Sequence, residues 1–161
     1  MTVPSLLGEF AVSLDAKGRF RLPSGLLNQL GYPGGLEFVV NRGFEKCLTL
    51  YPKVVWEREK ALVDRLNLFD VKSRAFARYF YRGAQEVAPD GADRLLIPKR
   101  LLDYAGAEKK LILACLRDRI EIWAQAAYDQ QFEDEEFDFS DLAQDVLGGG
   151  TGPAAEAEPL A

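Results

Sequence analysis

Asp15 and Asp90 each stand four residues before an arginine, Arg19 and Arg94. A pair of carboxylates is the usual equipment of acid–base hydrolysis. An arginine so close works against that chemistry, because a nearby guanidinium favours the ionised carboxylate and spoils a general acid. Other catalytic equipment is missing from the sequence. The 161 residues include no histidine, which removes Ser-His-Asp triads, Cys-His dyads, histidine metal sites and histidine pH switches together. No Gly-x-Ser-x-Gly, P-loop or metal-ligand spacing is present. Cys47 and Cys115 lack a Cys-x-x-Cys spacing and sit in apolar runs, so both are expected to be buried free thiols. No catalytic residue, metal or cofactor is expected.

The two acid–arginine sets belong to a longer repeat. Residues 14–23 and 89–98 share the pattern D-x-x-x-R-Φ-x-Φ-P, where Φ is apolar. Asp15 aligns with Asp90, Arg19 with Arg94 and Pro23 with Pro98, at a constant offset of 75 residues. Each copy continues into a short apolar helix stopped by Gly31 or Gly106. Two strand-like runs follow in each, 36–40 and 47–51 in the first copy, 111–115 and 119–123 in the second. Residues 41–46 and 116–118 read as the turns between them. Asp15-Ala16-Lys17-Gly18 suits a tight turn, with Asp first and Gly fourth. In the strand after it, Phe20 and Leu22 face one way and Arg19 and Arg21 the other, so Arg19 is expected to be exposed. Pro23 fits the first turn of the helix, where its missing N–H costs nothing. A copy of about 45 residues is too small to hold much core. Its strands are expected to pair with another copy, in this chain and in other chains.

Between the copies lie two expected helices. One, 54–67, places Val55, Leu62 and Leu66 on one face, with Trp56 and Val63 beside them. Asp70 is placed to cap the other, which runs to about Arg82 and is expected to bury Ala75, Phe76, Tyr79 and Phe80. That helix carries Arg74, Arg78 and Arg82 at a spacing of four, either a solvated or ion-paired face or, as the sharper alternative, a phosphate contact. Trp56 and Trp123 read as core.

The net charge of −5 conceals an asymmetry. Residues 1–119 carry a net +6, whereas residues 120–161 carry −11 with no Lys or Arg. From Asp129 onward there are 10 acidic residues, with Phe132, Phe137 and Phe139 among them. Such a tail competes with phosphate for the basic body, or docks on the body through its aromatics. A short helix is expected over 140–147, and the glycine-rich and Ala/Glu-rich end is expected to be disordered. No apolar run approaches the roughly 20 residues needed to span a bilayer, and the start lacks the pattern of a secretory signal. The expectation is a soluble, cytoplasmic protein without membrane contact.

The motifs resemble those of the MraZ family, bacterial transcriptional regulators built from two SpoVT-AbrB-like units. The likeness runs from Gly8 to about Tyr128. Its carriers are Asp15-Ala16-Lys17-Gly18-Arg19 with Pro23, Tyr51-Pro52 with Trp56, and Ala75-Phe76-Ala77-Arg78 with Gly83-Ala84. Asp90 and Arg94 with Ile97-Pro98, Tyr104-Ala105-Gly106 and Ile120-Glu121-Ile122-Trp123 complete them. One D-x-x-x-R is a weak signal; two in this order, around this linker, are strong.

The resemblance implies an α+β fold, mainly β, of tandem, pseudo-symmetric, double-ψ-like AbrB units with short helices and a two-helix linker. It divides the chain into a first unit at 8–55, a linker at 56–83, a second unit at 84–127 and the acidic tail at 128–161. It also implies a function: a nucleoid-associated repressor of its own division and cell-wall gene cluster. In that reading the loops are presented on a homo-oligomeric ring and bind GTG-containing tandem repeats in double-stranded DNA. No small-molecule substrate is implied. Arg19 is then the leading DNA contact and Arg94 its counterpart, since a guanidinium bonds O6 and N7 of guanine in a bidentate way. Lys17 and Arg21 meet phosphates. Asp15 and Asp90 position the arginines, and Gly18 shapes the turn. The second loop departs from the family in carrying Asp93 where glycine is usual. That charge is expected to weaken its hold on phosphate, with Gly91 supplying the turn's flexibility instead. The rival reading is an AbrB-type antitoxin or protein-interaction module with the tail as its partner-binding segment, which two fused units argue against.

Overall fold

The computed structural model describes residues 3–31, 35–133 and 137–148. The chain divides into two compact units, Met1–Tyr128 and Asp129–Ala161. In the first unit, the first copy contributes β1 (Glu9–Ser13), β2 (Arg19–Arg21), α1 (Ser24–Gln29), β3 (Phe38–Arg42) and β4 (Leu48–Pro52). Between the copies lie α2 (Lys53–Asp64) and α3 (Val71–Arg82). The second copy contributes β5 (Gln85–Val87), β6 (Arg94–Leu96), α4 (Lys99–Tyr104), β7 (Lys110–Leu116) and β8 (Arg119–Ala124). Helix α5 (Gln125–Glu133) follows, beginning in the first unit and ending in the second. The strand-dominated α+β architecture is the one the sequence implies.

The copies complete each other within one chain. A six-stranded antiparallel sheet runs β1-β7-β8-β4-β3-β5, and a separate ribbon pairs β2 with β6. This order is a palindrome of the repeat. The first strand of each copy pairs with the third strand of the other, and the fourth strands meet in the middle, with Leu50 opposite Ile120 and Leu48 opposite Ile122. Neither copy could close a core alone, because its edge partners come from its twin.

The central strands are buried on both faces, which is why they read as continuous apolar runs rather than alternating ones. Phe38, Val40, Leu48, Leu50, Leu111, Leu113, Ile120 and Ile122 join Phe20, Leu95 and the helices α1 and α4 in the main core. On the other face, Val39 and Tyr51 pack with Val55 and Trp56 of α2. Trp56 stacks on Phe80 at 5.1 Å between ring centroids, and Trp123 is also buried.

A polar cluster locks the β7–β8 turn to α2. Asp118, buried at the tip of the turn, accepts from Arg58 Nη2 and, at 2.9 Å, from Arg119 Nε. Arg119 continues to Glu59 at 2.5 Å and lies over the Tyr51 ring. Burial alone would raise the Asp118 carboxyl, but the hydrogen bonds from Arg58 and Arg119 outweigh it and hold it below the ordinary carboxylate range.

Several expectations need correction. Asn41 and Arg42 belong to β3, not to a turn, because α3 ties them down: Asn41 Nδ2 donates to Phe80 O at 2.6 Å and Arg42 Nη2 to Tyr79 O at 2.7 Å. The turn begins at Gly43, where a Cβ would lie 2.5 Å from Cys47 Sγ. Both cysteines are free, but Cys115 is half-buried rather than buried. Helix α2 ends at Asp64, three residues early, and Leu62 is exposed; the packed face is Val55, Trp56 and Val63, set by the stack on Phe80. Asp70 does cap α3, accepting from Ser73 N at 2.9 Å. Phe76 and Tyr79 are nevertheless 43% and 65% exposed, and Ala75 and Phe80 are partly buried, because α3 meets the sheet mainly through its last turn. Pro23 and Pro98 are N-caps in extended conformation, one position before the first turn.

The second unit contains α6 (Phe139–Ala143), capped by Asp138, and a π-helical turn, Gln144–Gly148. Gly148, expected to open the disordered end, closes the π-helical turn, and the rest of that end, from residue 149 onward, lies outside the described residues. No described helix is long and apolar enough to cross a membrane.

Candidate nucleic-acid interface

The loops before β2 and β6 are built by the same bonds. The turn closes from Gly18 N to Asp15 O at 3.1 Å in one loop and from Asp93 N to Asp90 O at 3.0 Å in the other. Asp15 Oδ1 accepts from Lys17 N at 2.9 Å and Arg19 N at 3.0 Å; Asp90 Oδ1 accepts from Ala92 N and Arg94 N at the same two distances. The second carboxylate oxygen takes the arginine Nε, at 2.8 Å for Arg19 and 2.9 Å for Arg94. These backbone donors, that from the arginine first, hold both carboxyls below their ordinary range, so each stays an anion that grips its arginine. This is the environment of a positioning group and not of a general acid.

The loops are also bonded to each other. Leu22 N donates to Asp93 O at 2.8 Å and Ile97 N to Gly18 O at 3.0 Å, extending the β2–β6 ribbon at both ends. Phe20, Leu22, Leu95 and Ile97 anchor its inner face in the core. Arg21 lies opposite Arg94, and Arg19 opposite Leu96. Residues opposite each other in an antiparallel pair share a face, so the outer face carries Arg19, Arg21 and Arg94 together, with exposed Lys17 on the turn beside them. Arg19 is less open than expected, its side chain 25% exposed, because the grip of Asp15 folds it along the loop. Its Nε is committed to Asp15, while its terminal Nη groups have no partner among the described residues.

Gly18 and Asp93 hold equivalent places, and both have left-handed backbone, with φ of 85° and 61°. The expectation that Gly91 supplies the freedom of the second turn is therefore wrong: Asp93 adopts the conformation itself, as aspartate tolerates better than most residues. At Gly18 a Cβ would also press on Leu102 Cδ1 at 3.2 Å. The ribbon shows a further asymmetry not drawn from the sequence. Leu96 stands at the place of Arg21, and Ala92 at that of Lys17. The constant offset of 75 residues was the signal for it. The first loop is thus the more basic of the two.

Elsewhere, Glu45, Cys47 and Glu121 bring ligand-type atoms within 4.8 Å of one another. Burial pushes the Cys47 thiol up to about 12, and Glu121 already accepts from Trp123 Nε1 at 3.0 Å. The cluster is a poor metal site, since metal binding requires the thiolate.

The family model described as "MraZ protein, putative antitoxin-like" matches the chain twice, over residues 5–79 and 80–148. The chain's relatives include proteins named transcriptional regulator MraZ. That of Christiangramia forsetii is 40% identical over 145 residues, 89% of this chain and 94% of its own. That of Lactiplantibacillus plantarum is 40% identical over 141 residues, 87% and 96% of the two chains. That of Natranaerobius thermophilus is 33% identical over 141 residues, 88% and 96%.

Proposed function

The chain belongs to the MraZ family, a class of transcriptional regulators and not of enzymes, and from this premise we propose that it binds DNA by laying the β2–β6 ribbon in the major groove. The observation that carries the reading is the pair of arginines, each gripped at Nε by its own aspartate, on the outer face of a two-stranded ribbon. The major groove of B-DNA admits such a ribbon. Arg19 presents its Nη groups to O6 and N7 of a guanine, and Arg94 is its weaker counterpart. Lys17 and Arg21 meet the flanking phosphates. The repeats at 8–55 and 84–127 serve as the paired presenting units and 56–83 as their linker. The site is GTG-containing tandem repeats ahead of the chain's own division and cell-wall gene cluster, which it represses. Tandem sites call for tandem heads, so the chain works as a homo-oligomeric ring on the nucleoid. Light scattering at micromolar concentration is expected to give a mass well above that of a dimer; an 18.0 kDa monomer would contradict it.

Holding Arg19 in one orientation before DNA arrives removes part of the side-chain entropy that binding would otherwise cost. Asp15→Asn keeps the size but leaves one acceptor oxygen; with that oxygen on the backbone N–H groups of Lys17 and Arg19, an NH2 donor faces the arginine Nε in place of the second carboxylate oxygen. It is expected to weaken binding to GTG repeats about tenfold, in line with ~1–2 kcal/mol of rotamer freedom, while binding to unrelated DNA holds or tightens because a negative charge is gone. Anisotropy titrations on both DNAs check this. Equal weakening on both would mean that Asp15 only maintains the loop.

Asp93→Gly removes a negative charge beside Arg94 and restores glycine to a left-handed position. It is expected to tighten DNA binding and steepen its salt dependence. The left-handed conformation costs aspartate up to about 1–2 kcal/mol, so the variant is not expected to lose stability. Weaker binding would show that the Asp93 side chain orders the loop.

A further inference from the structure

Helix α3 presents a face that the DNA reading leaves unused. Residues 65–82 hold five cations, Arg65, Lys72, Arg74, Arg78 and Arg82, against the one acid Asp70, whose carboxylate is committed to capping the helix. Among the described residues, neither Arg78 nor Arg82 has an ion-pair partner. Tyr79 stands exposed beside them and lines the same groove as Arg78 and Arg82, whereas Phe76, two residues before Arg78, points to another side of the helix. Phosphate would use the arginines and leave the Tyr79 ring in water, so the mixture points to a protein surface that is both acidic and apolar.

The chain itself carries such a surface. Residues 137–148 have three carboxylates, Asp138, Asp141 and Asp145, and no cation. Phe137, Phe139, Val146 and Leu147 are exposed. Asp138 is spent on capping α6, which leaves Asp141 and Asp145, four residues apart. Arg78 and Arg82 have the same spacing, and side chains four apart on a helix are neighbours.

We propose that the basic, aromatic face of α3 receives the acidic segment 137–148 of a second copy of the chain. Asp141 and Asp145 pair with Arg78 and Arg82, and the apolar side chains of the segment cover Tyr79. The two surfaces differ from each other and lie on every copy. Repeated head-to-tail from one copy to the next, the contact is of the kind that closes into a ring, whereas the same two surfaces exchanged reciprocally between two copies stop at a dimer. This inference rests on the oligomeric reading above and assigns its contact.

The test compares full-length wild type with two charge-reversed variants, Arg78→Glu with Arg82→Glu, and Asp141→Arg with Asp145→Arg, by light scattering. Each variant alone is expected to fall to a smaller mass. A one-to-one mixture of the two is expected to recover the wild-type mass, because each reversed face then meets a complementary segment on another molecule. The milder pair Arg78→Gln with Arg82→Gln, checked for an unchanged circular dichroism spectrum, is expected to lower the mass without recovery on mixing. Wild-type mass in the reversed variants overturns this contact but not the ring; a monomeric wild type overturns both. Loss on reversal with no recovery on mixing overturns pairing between copies. Retained mass with lost affinity for DNA of any sequence assigns the face to phosphate and also overturns the proposal.

Discussion

Arg19→Ala is expected to abolish specific binding to GTG repeats while leaving the chain folded. The side chain makes one ion pair, with a partly exposed aspartate at a loop. Such pairs contribute about 0–1 kcal/mol to stability, which sets the limit of the expected change in unfolding free energy. The proposed DNA contact is worth more. One bidentate bond to guanine discriminates by about 1–3 kcal/mol, and an oligomer on tandem sites multiplies the loss across its heads. Arg94→Ala is expected to cost less. Its loop lacks the flanking cations Lys17 and Arg21, having Ala92 and Leu96 in their places, and carries Asp93. Gel shifts with both variants, beside thermal unfolding, separate the two effects. Unchanged affinity in Arg19→Ala would sink the assignment.

The largest stability change is expected outside the ribbon, at Asp118 in the β7–β8 turn. Replacing it with alanine removes the acceptor for both Arg58 and Arg119, and leaves Arg119, itself largely buried, with Glu59 as its remaining ion-pair partner among the described residues. Breaking a buried ion pair by deleting one partner costs about 3–5 kcal/mol. Arg58 is half-exposed and can return to water, so the lower end, about 3 kcal/mol, is expected. That corresponds to a fall in Tm on the order of 10 °C. The sign of the pH dependence follows from the lowered carboxyl. Its stabilisation is present above the ordinary carboxylate value of about 4 and is lost as pH falls through the lower folded value. The gap between wild type and Asp118→Ala is therefore expected to be full at neutral pH and to narrow in acid. A constant gap from neutral pH into acid would mean that packing, not charge, holds the turn.

Much of this was legible because the chain states its plan twice. The 75-residue offset located both loops, both ribbon strands and both glycine helix stops, and the Asp–Arg spacing gave the positioning bonds that the loops contain. The pairing of strands was less legible. Apolar runs fix burial, but nothing in them says that the first strand of one copy lies beside the third of the other. Helix α3 misled for a related reason. Its apolar spacing at Ala75, Phe76, Tyr79 and Phe80 reads as a buried face, while the structure packs its end and leaves Phe76 and Tyr79 open. Periodicity tells which residues prefer burial but not whether the same chain supplies the cover. Asp93 is a local case: composition suggested that Gly91 makes the turn, and only the backbone shows which residue takes the left-handed conformation.

Arg19 is proposed to read a guanine edge, and replacing the guanines of the GTG repeats with 7-deazaguanine removes N7 while leaving Watson–Crick pairing intact. The titration is a two-by-two cycle of natural and substituted DNA against wild type and Arg19→Ala. Wild type is expected to lose about tenfold in affinity on the substituted DNA, as befits one lost bond of a bidentate pair, and Arg19→Ala to bind both DNAs alike. An equal loss in both proteins would contradict the account, because the N7 contact would then belong to another residue.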